Sequence, residues 1–483
     1  MVKVFIHKNR FFIILFLIFV LLRLPSLFEP YWYGDEGIYL VLGQAIRRGL
    51  VLYTQIHDNK PPTLYYLAAL AQTVFGFRLL LALFMAGAYY YFYLLSNKLL
   101  SSKLSQVSCF LFLVLTSIPL IEGNIANAEV FMLLPTIAGI YYFLYSHSSF
   151  KFLVSGLLLG FAFTIKIPVV VEFGFLGLWL LINNKNNIYS TLKNLFFFSL
   201  GFIFPFTLYF IYFYFKGALS DFVFASILQN FGYLSSWQTG THSGTATNSG
   251  LIIRAVTLLV FWGTTYYLYL KKYLTKNTYL ILFWFSATIF GALLSARPYP
   301  HYLIQVTPPL CLLILAIFDS KLHPKIRYFI LFLCFVFCVL IFRFKFYAYP
   351  VFSYYKNYYS HLTSLSSRSY RNYFGSRVDD TYQISQYLKD NTSPNDKIFV
   401  WADEPYIYAL SSRLPVGRFT VAYHIVDFNQ YLPTYNQLIV DFPKVIVTFP
   451  MNNRPYPELE RLLKLYYHPD ASIGDSTIYF RTD

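Results

Sequence analysis

Long apolar runs separated by short basic loops fill the first 345 residues of this 483-residue chain. Such runs lie near 11–28, 79–97, 104–121, 130–146, 151–167, 169–182, 194–215, 251–270, 278–295, 302–318 and 328–346. An α-helix rises ~1.5 Å per residue, so about 20 apolar residues cross the hydrocarbon core of a bilayer. The pattern predicts about eleven transmembrane helices. The first run follows Lys3, Lys8 and Arg10, but no small-residue cleavage site comes after it and further spans do. It is expected to stay as the first helix rather than leave as a signal peptide. Residues 62–76 are apolar but reach only about 23 Å as a helix, so this segment is expected to lie along the membrane surface. The short run 169–182 is expected to pair with 151–167 as a tight hairpin around Pro168.

Loop charge orients the array. Basic residues cluster at 3–10, 98–103, 147–151, 185–193, 271–276 and 321–327, which places those loops on the inner side. An inner N-terminus and eleven spans put the C-terminal region outside. Nine acids occur in the first 345 residues: Glu29, Asp35, Glu36, Asp58, Glu122, Glu129, Glu172, Asp221 and Asp319. Seven of them fall in the outer loops of this map, and Asp319 falls inside. Acids contribute little to topology itself, so their crowding on one face calls for an outward-facing polar site.

After about residue 347 the pattern changes. TYQISQYLKDN has helical periodicity, and DKIFVWA, PKVIVTF and STIYFR read as strands, with helices at EPYIYALSSR and YPELERLLKLYY. Strands alternating with helices predict a small α/β domain over 375–483, enough to bury a modest core. The Tyr- and Ser-rich stretch 348–374 is expected to be a surface-hugging or loosely ordered linker, and the polar loop 229–250 a mobile segment. Residues 1–347 then form the transmembrane domain, with 29–78 as its first outer loop.

Composition agrees with a polytopic membrane protein. The chain is 57% hydrophobic and 12% charged, against about 25% charged in ordinary soluble proteins, and its mean hydropathy is +0.49. The net charge of +16 would suggest nucleic acid in a soluble protein. Here the basic residues follow the positive-inside rule, so no nucleic-acid partner is expected. Cys109, Cys311, Cys334 and Cys338 all lie in apolar stretches without metal-ligand or disulfide spacing, which excludes a zinc or redox framework.

The candidate chemistry begins at YWYGDEGIYL. Asp35 and Glu36 open a short amphipathic stretch, where acids offset a helix dipole. Neighbours on a helix point about 100° apart, so one acid can take a proton from a hydroxyl while the other orients it or meets a cation. The polar loop ends in Lys60-Pro61-Pro62. Proline at a helix start needs no amide hydrogen, and the lysine before it either snorkels or meets a phosphate. Tyr39, His57 and Asp58 are close enough in sequence to line the same site. Glu129, in AEVF, stands at the mouth of a span, with Glu122 in the same short loop. Lys166, in TIKIP, stands at the end of another span. RPYPHY adds Arg297, Tyr299, His301 and Tyr302, and arginine can hold a phosphate bidentately.

These segments, in this order, resemble the C-type glycosyltransferase superfamily, specifically the bacterial relatives of the protein O-mannosyltransferases and the lipid A aminoarabinose transferases. The marks are the DE pair, KPP, Phe75-Gly76 with Arg78, AEVF, TIKIP and RPYPHY before PP, and they cover essentially the whole chain. The resemblance implies transfer of a sugar from a polyprenyl-phosphate carrier to an acceptor at the outer membrane face. It matches Asp35 to the catalytic base and Lys60 to a lysine that contacts the carrier phosphate. The longer histidine-containing motifs of the eukaryotic mannosyltransferases are not evident, so the resemblance does not carry over their specificity for protein acceptors.

The expected protein is therefore an integral membrane glycosyltransferase of the cell membrane. Its donor is a polyprenyl-phosphate-linked monosaccharide and its acceptor a lipid, glycan or protein. Asp35, Glu36 and Glu129 are the candidate catalytic acids, and Lys60, Arg297 and Lys166 the candidate phosphate ligands. Tyr39, His57, Asp58, Tyr299, His301 and Tyr302 are candidate substrate contacts. The chemistry requires no cofactor and leaves room for a divalent cation. A transporter of lipid-linked sugars is the alternative. It predicts paired charges near the bilayer midplane and related halves, neither of which is visible.

Overall fold

The computed structural model describes residues 2–145, 148–183, 187–230, 249–295, 297, 299–318, 322–343, 350–451 and 453–482. The centre of the polar loop 229–250, Asp319 and the boundary near 347 lie outside the described residues.

The apolar runs form helices. Among the described residues, five are long and apolar enough to cross a bilayer: 10–27 within α1 (Val2–Leu27), α4 (Val74–Leu99), α10 (Ile188–Phe215), the helix 250–270 and Pro324–Arg343. Shorter apolar helices lie between them, including α5 (Ser102–Leu115), α7 (Leu133–Leu144), α8 (Ser149–Phe163) and α9 (Val170–Asn183). The protein is a polytopic α-helical membrane protein. The expected hairpin at Pro168 is present, with a 3₁₀ turn at Ile167–Val169 joining α8 to α9.

One span stops earlier than expected. The run 104–121 is helical only to Leu115 in α5, where Thr116 returns its hydroxyl to the Phe112 carbonyl. Pro119 then starts a 3₁₀ turn, and Glu122 follows in the left-handed region at φ 60°. Proline cannot donate to the previous turn, which ends a helix that hydropathy alone would continue. A Cβ on Gly123 would meet the Thr116 carbonyl carbon at 2.6 Å, so the loop closes against the helix end only with glycine there.

The described residues fold as two units. The first comprises 1–27, 78–211 and 228–354, and the second 28–77, 212–227 and 355–483. The second unit thus groups the first polar loop with the C-terminal region. Its sheet runs in the order β1 (Ile398–Trp401), β2 (Val445–Thr448), β4 (Ser476–Arg481), β3 (Tyr467–Ile473). β1 and β2 are parallel, and the other pairs antiparallel. β1 (IFVW) is apolar throughout and β2 (VIVT) nearly so, and the core of the unit includes Phe399, Trp401, Ile446, Leu459, Leu462 and Tyr467.

Two expectations need correction here. Of the two readings of 348–374, the loosely ordered one does not hold in the described part, which forms helices Val351–Thr363 and Ser367–Asn372. Tyr354 and Tyr358, one helical turn apart, are both buried, so the tyrosines serve as core residues. The strand β3 was also hidden in the sequence. It lies at the sheet edge, has mostly exposed residues and contains Pro469, so it lacks the alternation of a half-buried strand.

Within the second unit, α2 (Gly34–Arg47) packs on α3 (Thr63–Ala71), and the polar loop runs between them. The close approach centres on Gly43, whose Cβ would lie 2.6 Å from the Ala69 nitrogen and 2.7 Å from the Ala68 carbonyl carbon. Backbone atoms cannot rotate away. Gly43→Val is therefore expected to destabilise this unit by on the order of 2–3 kcal/mol, read as a lower midpoint in thermal unfolding of the solubilised protein. An unchanged midpoint would refute this packing.

Candidate active site

In the second unit, the acid pair occupies the first turn of α2, as expected of residues that complement the helix dipole. The two side chains diverge. Asp35 is partly open, accepts a hydrogen bond from the Tyr39 hydroxyl at 3.1 Å and lies 3.5 Å from the Lys60 ammonium. Glu36 is fully buried, and the Tyr406 hydroxyl donates to it at 3.3 Å. This seats Glu36 as an anchor between α2 and the C-terminal helix Tyr406–Ser411.

The loop before Pro61 is built to hold Lys60. The Tyr53 hydroxyl donates to the Lys60 carbonyl at 2.7 Å, and the Lys60 backbone N–H donates to the Tyr65 hydroxyl at 3.0 Å. Tyr65 in turn donates to Asp58 at 2.8 Å. The Lys60 ammonium lies 3.9 Å from Asp58 and 4.9 Å from the centre of the Tyr39 ring. One cation thus stands between two carboxylates and an aromatic face, with a little of its surface open. Burial pushes the Asp58 carboxyl up, but Lys60, His424, Tyr65 and the Asn59 amide outweigh it and hold it below the usual carboxylate value. Burial and the Asp58 charge push the Tyr65 hydroxyl well above its ordinary value, so it remains a donor.

His57 is buried. Its backbone N–H donates to the Arg418 carbonyl at 2.8 Å, and its ring packs edge-on against Phe419 and Phe428. It ties the loop to the C-terminal fold.

The first unit holds a second constellation. Asn127 caps the short helix α6 (Ala128–Phe131), accepting from the Ala128 N–H at 3.0 Å, and places Glu129 in its first turn. The Lys166 ammonium lies 2.6 Å from Glu129 and 5.3 Å from the centre of the Tyr302 ring. His301 pairs through Nδ1 with Glu122 at 2.5 Å, and its Nε2 lies 3.9 Å from Glu129. The Tyr299 ring stacks on His301. Three segments far apart in sequence therefore converge on one buried network. Arg297 is half-buried, with its backbone N–H 3.3 Å from the Ser295 hydroxyl. Arg78, the arginine after Phe75-Gly76, is fully buried and donates to the Ser26 carbonyl at 2.8 Å, which is a structural task.

Sequence reasoning missed three participants. Tyr65 and His424 flank Asp58, and in the first unit Gln305 donates to both oxygens of the buried Glu172, at 2.7 and 2.8 Å. Tyr65 sits just past KPP and could have been suspected from that spacing. Nothing local marks the other two. Among the described residues, no group of three or more His, Cys, Asp or Glu side chains stands in a metal-holding arrangement.

No protein-family model matches the chain, and no curated protein matches it in sequence. Solved structures do. The chain is similar to ArnT from Cupriavidus metallidurans bound to undecaprenyl phosphate, with 11% identity over 98% of each chain and a TM-score of 0.58. The apo state of the same protein gives 10% identity, the same coverage and a TM-score of 0.57. The oligosaccharyltransferase of Archaeoglobus fulgidus in its apo form gives 14% identity over 98% of this chain and 74% of that one, with a TM-score of 0.49. At such identities the likeness is one of fold. The fold shared with ArnT extends over nearly the whole of both chains.

Proposed function

We propose that this protein is a membrane glycosyltransferase that moves a monosaccharide from a polyprenyl-phosphate carrier to an acceptor hydroxyl at the outer face of the cell membrane. The observation that carries the proposal is the pairing of Asp35 with Lys60 at 3.5 Å, with the Lys60 backbone held by the Tyr53 and Tyr65 hydroxyls. The fold supports it, since ArnT has been crystallised with undecaprenyl phosphate.

The chemistry follows from where the charges stand. The acceptor hydroxyl gives its proton to Asp35 as its oxygen attacks the anomeric carbon. The bond from that carbon to the carrier oxygen breaks, and its electron pair leaves with the polyprenyl phosphate. Lys60 stabilises the charge that develops there. A single displacement inverts the anomeric carbon. Electrons balance without a cofactor. Tyr39 holds the base by its hydroxyl and Lys60 by its ring.

The test needs no membrane gradient. Purified protein in detergent, given a polyprenyl-phosphate sugar and an acceptor extract, is expected to release polyprenyl phosphate as the sugar is transferred. Turnover that appears only in sealed vesicles would instead identify a transporter.

A further inference from the structure

We propose that the C-terminal α/β domain forms part of the donor-phosphate site, with His424 acting through Asp58 as a positioning residue for Lys60. The inference rests on the glycosyltransferase reading above and extends it to a domain whose sequence shows no catalytic motif.

His424 lies on the short helix Ala422–Asp427 and is 4% exposed. Its ring is framed by Tyr423 at 4.4 Å, Phe428 at 5.3 Å, Phe419 at 6.3 Å and His57 at 6.5 Å. An aromatic frame of this kind is what a core side chain would have, and phenylalanine would fill it. Histidine carries a cost that phenylalanine would not. Its Nδ1 is buried with no hydrogen-bond partner among the described residues, and such an atom forfeits its hydration. The other nitrogen explains why it is kept. Nε2 lies 3.7 Å from Asp58 Oδ1, too far for a direct hydrogen bond but close enough for a strong electrostatic effect on a carboxylate that is 1% exposed.

Asp58 is the link. Its Oδ1 accepts the Asn59 N–H at 2.8 Å and faces His424, while its Oδ2 takes the Tyr65 hydroxyl and faces Lys60. The more of the Asp58 charge is balanced from the Oδ1 side, the less firmly Asp58 draws the Lys60 ammonium onto itself. Lys60 is then held in place without being neutralised, as a phosphate ligand must be. Burial pushes the His424 ring down to about 4, against the pull of Asp58 and Asp35 and with the help of His57 and Lys60. At neutral pH it therefore acts by its N–H dipole.

The test uses the full-length chain in detergent, with polyprenyl phosphate as the binding probe and donor KM and kcat measured alongside. His424→Phe preserves the aromatic packing and removes the N–H. It is expected to weaken polyprenyl phosphate binding and raise donor KM by about 5- to 10-fold, with kcat changed less. His424→Gln returns an N–H at lower packing quality and is expected to recover most of the loss. In a Lys60→Ala background, His424→Phe should cost nothing further. A packing role predicts the reverse order, with Phe equal to the parent and Gln worse, and that result would overturn the proposal. Should His424→Phe fail to fold, a His424→Gln protein with parental affinity supports the proposal, and one with a large loss refutes it. A parent chain that transfers no sugar and binds no polyprenyl phosphate would overturn the glycosyltransferase reading itself. A parent that does both, with His424→Phe indistinguishable from it, would overturn only the role of His424.

Discussion

Asp35→Asn is expected to lower the transfer rate by on the order of 10²-fold or more, with donor affinity unchanged or somewhat higher. Asparagine keeps the shape of the side chain and can still meet the Tyr39 hydroxyl, but it cannot accept the acceptor's proton. The direction for the donor follows from the geometry. Asp35 lies 3.5 Å from Lys60, so removing its charge takes away an anion that competes with phosphate for the same ammonium. Lys60→Ala in the same assay should lose donor affinity as well as rate, because there the phosphate loses its cation. Misfolding would instead lower both quantities in both variants. Single-turnover rates with saturating donor, paired with equilibrium binding of polyprenyl phosphate, separate these cases. A folded Asp35→Asn protein with near-parental turnover would remove Asp35 as the base.

The part of this site that lies in one stretch of chain was readable from sequence. Two acids at a helix start and a lysine before two prolines each follow a local rule, and the structure brings Asp35 and Lys60 together across the loop. Local rules also account for the apolar helices and for the strands β1 and β2, whose residues are apolar almost throughout. What failed to show is whatever depends on tertiary closure. His424 reaches Asp58 only because His57, Gln44 and Arg48 fasten the first loop and α2 to backbone carbonyls of the C-terminal domain. No periodicity in either segment encodes that meeting. Glu36 illustrates the same limit. Its position next to Asp35 suggested a share in the chemistry; no local pattern showed that its side chain also meets the Tyr406 hydroxyl. The tyrosine-rich helix Val351–Thr363 was obscured by composition, since tyrosines at helical spacing can equally belong to a membrane interface or a core.

The Glu129–Lys166 pair decides between two roles for a membrane lysine. Glu129 is 2% exposed, and Glu122 joins the same network through His301, so the lysine balances a buried carboxylate. Removing one member of a buried pair leaves the other uncompensated. Lys166→Ala is therefore expected to destabilise the protein by on the order of 3–5 kcal/mol, measured as a fall in the thermal midpoint of the detergent-solubilised chain. Glu129→Gln should cost less, because the Lys166 side chain retains some exposure and can turn its ammonium toward water. The double variant should recover much of the loss, since it leaves no buried charge behind. A positive coupling in this cycle assigns Lys166 to holding Glu129. If Lys166 serves the donor phosphate alone, Lys166→Ala keeps the parental midpoint and weakens polyprenyl phosphate binding, and Glu129→Gln does nothing to restore it.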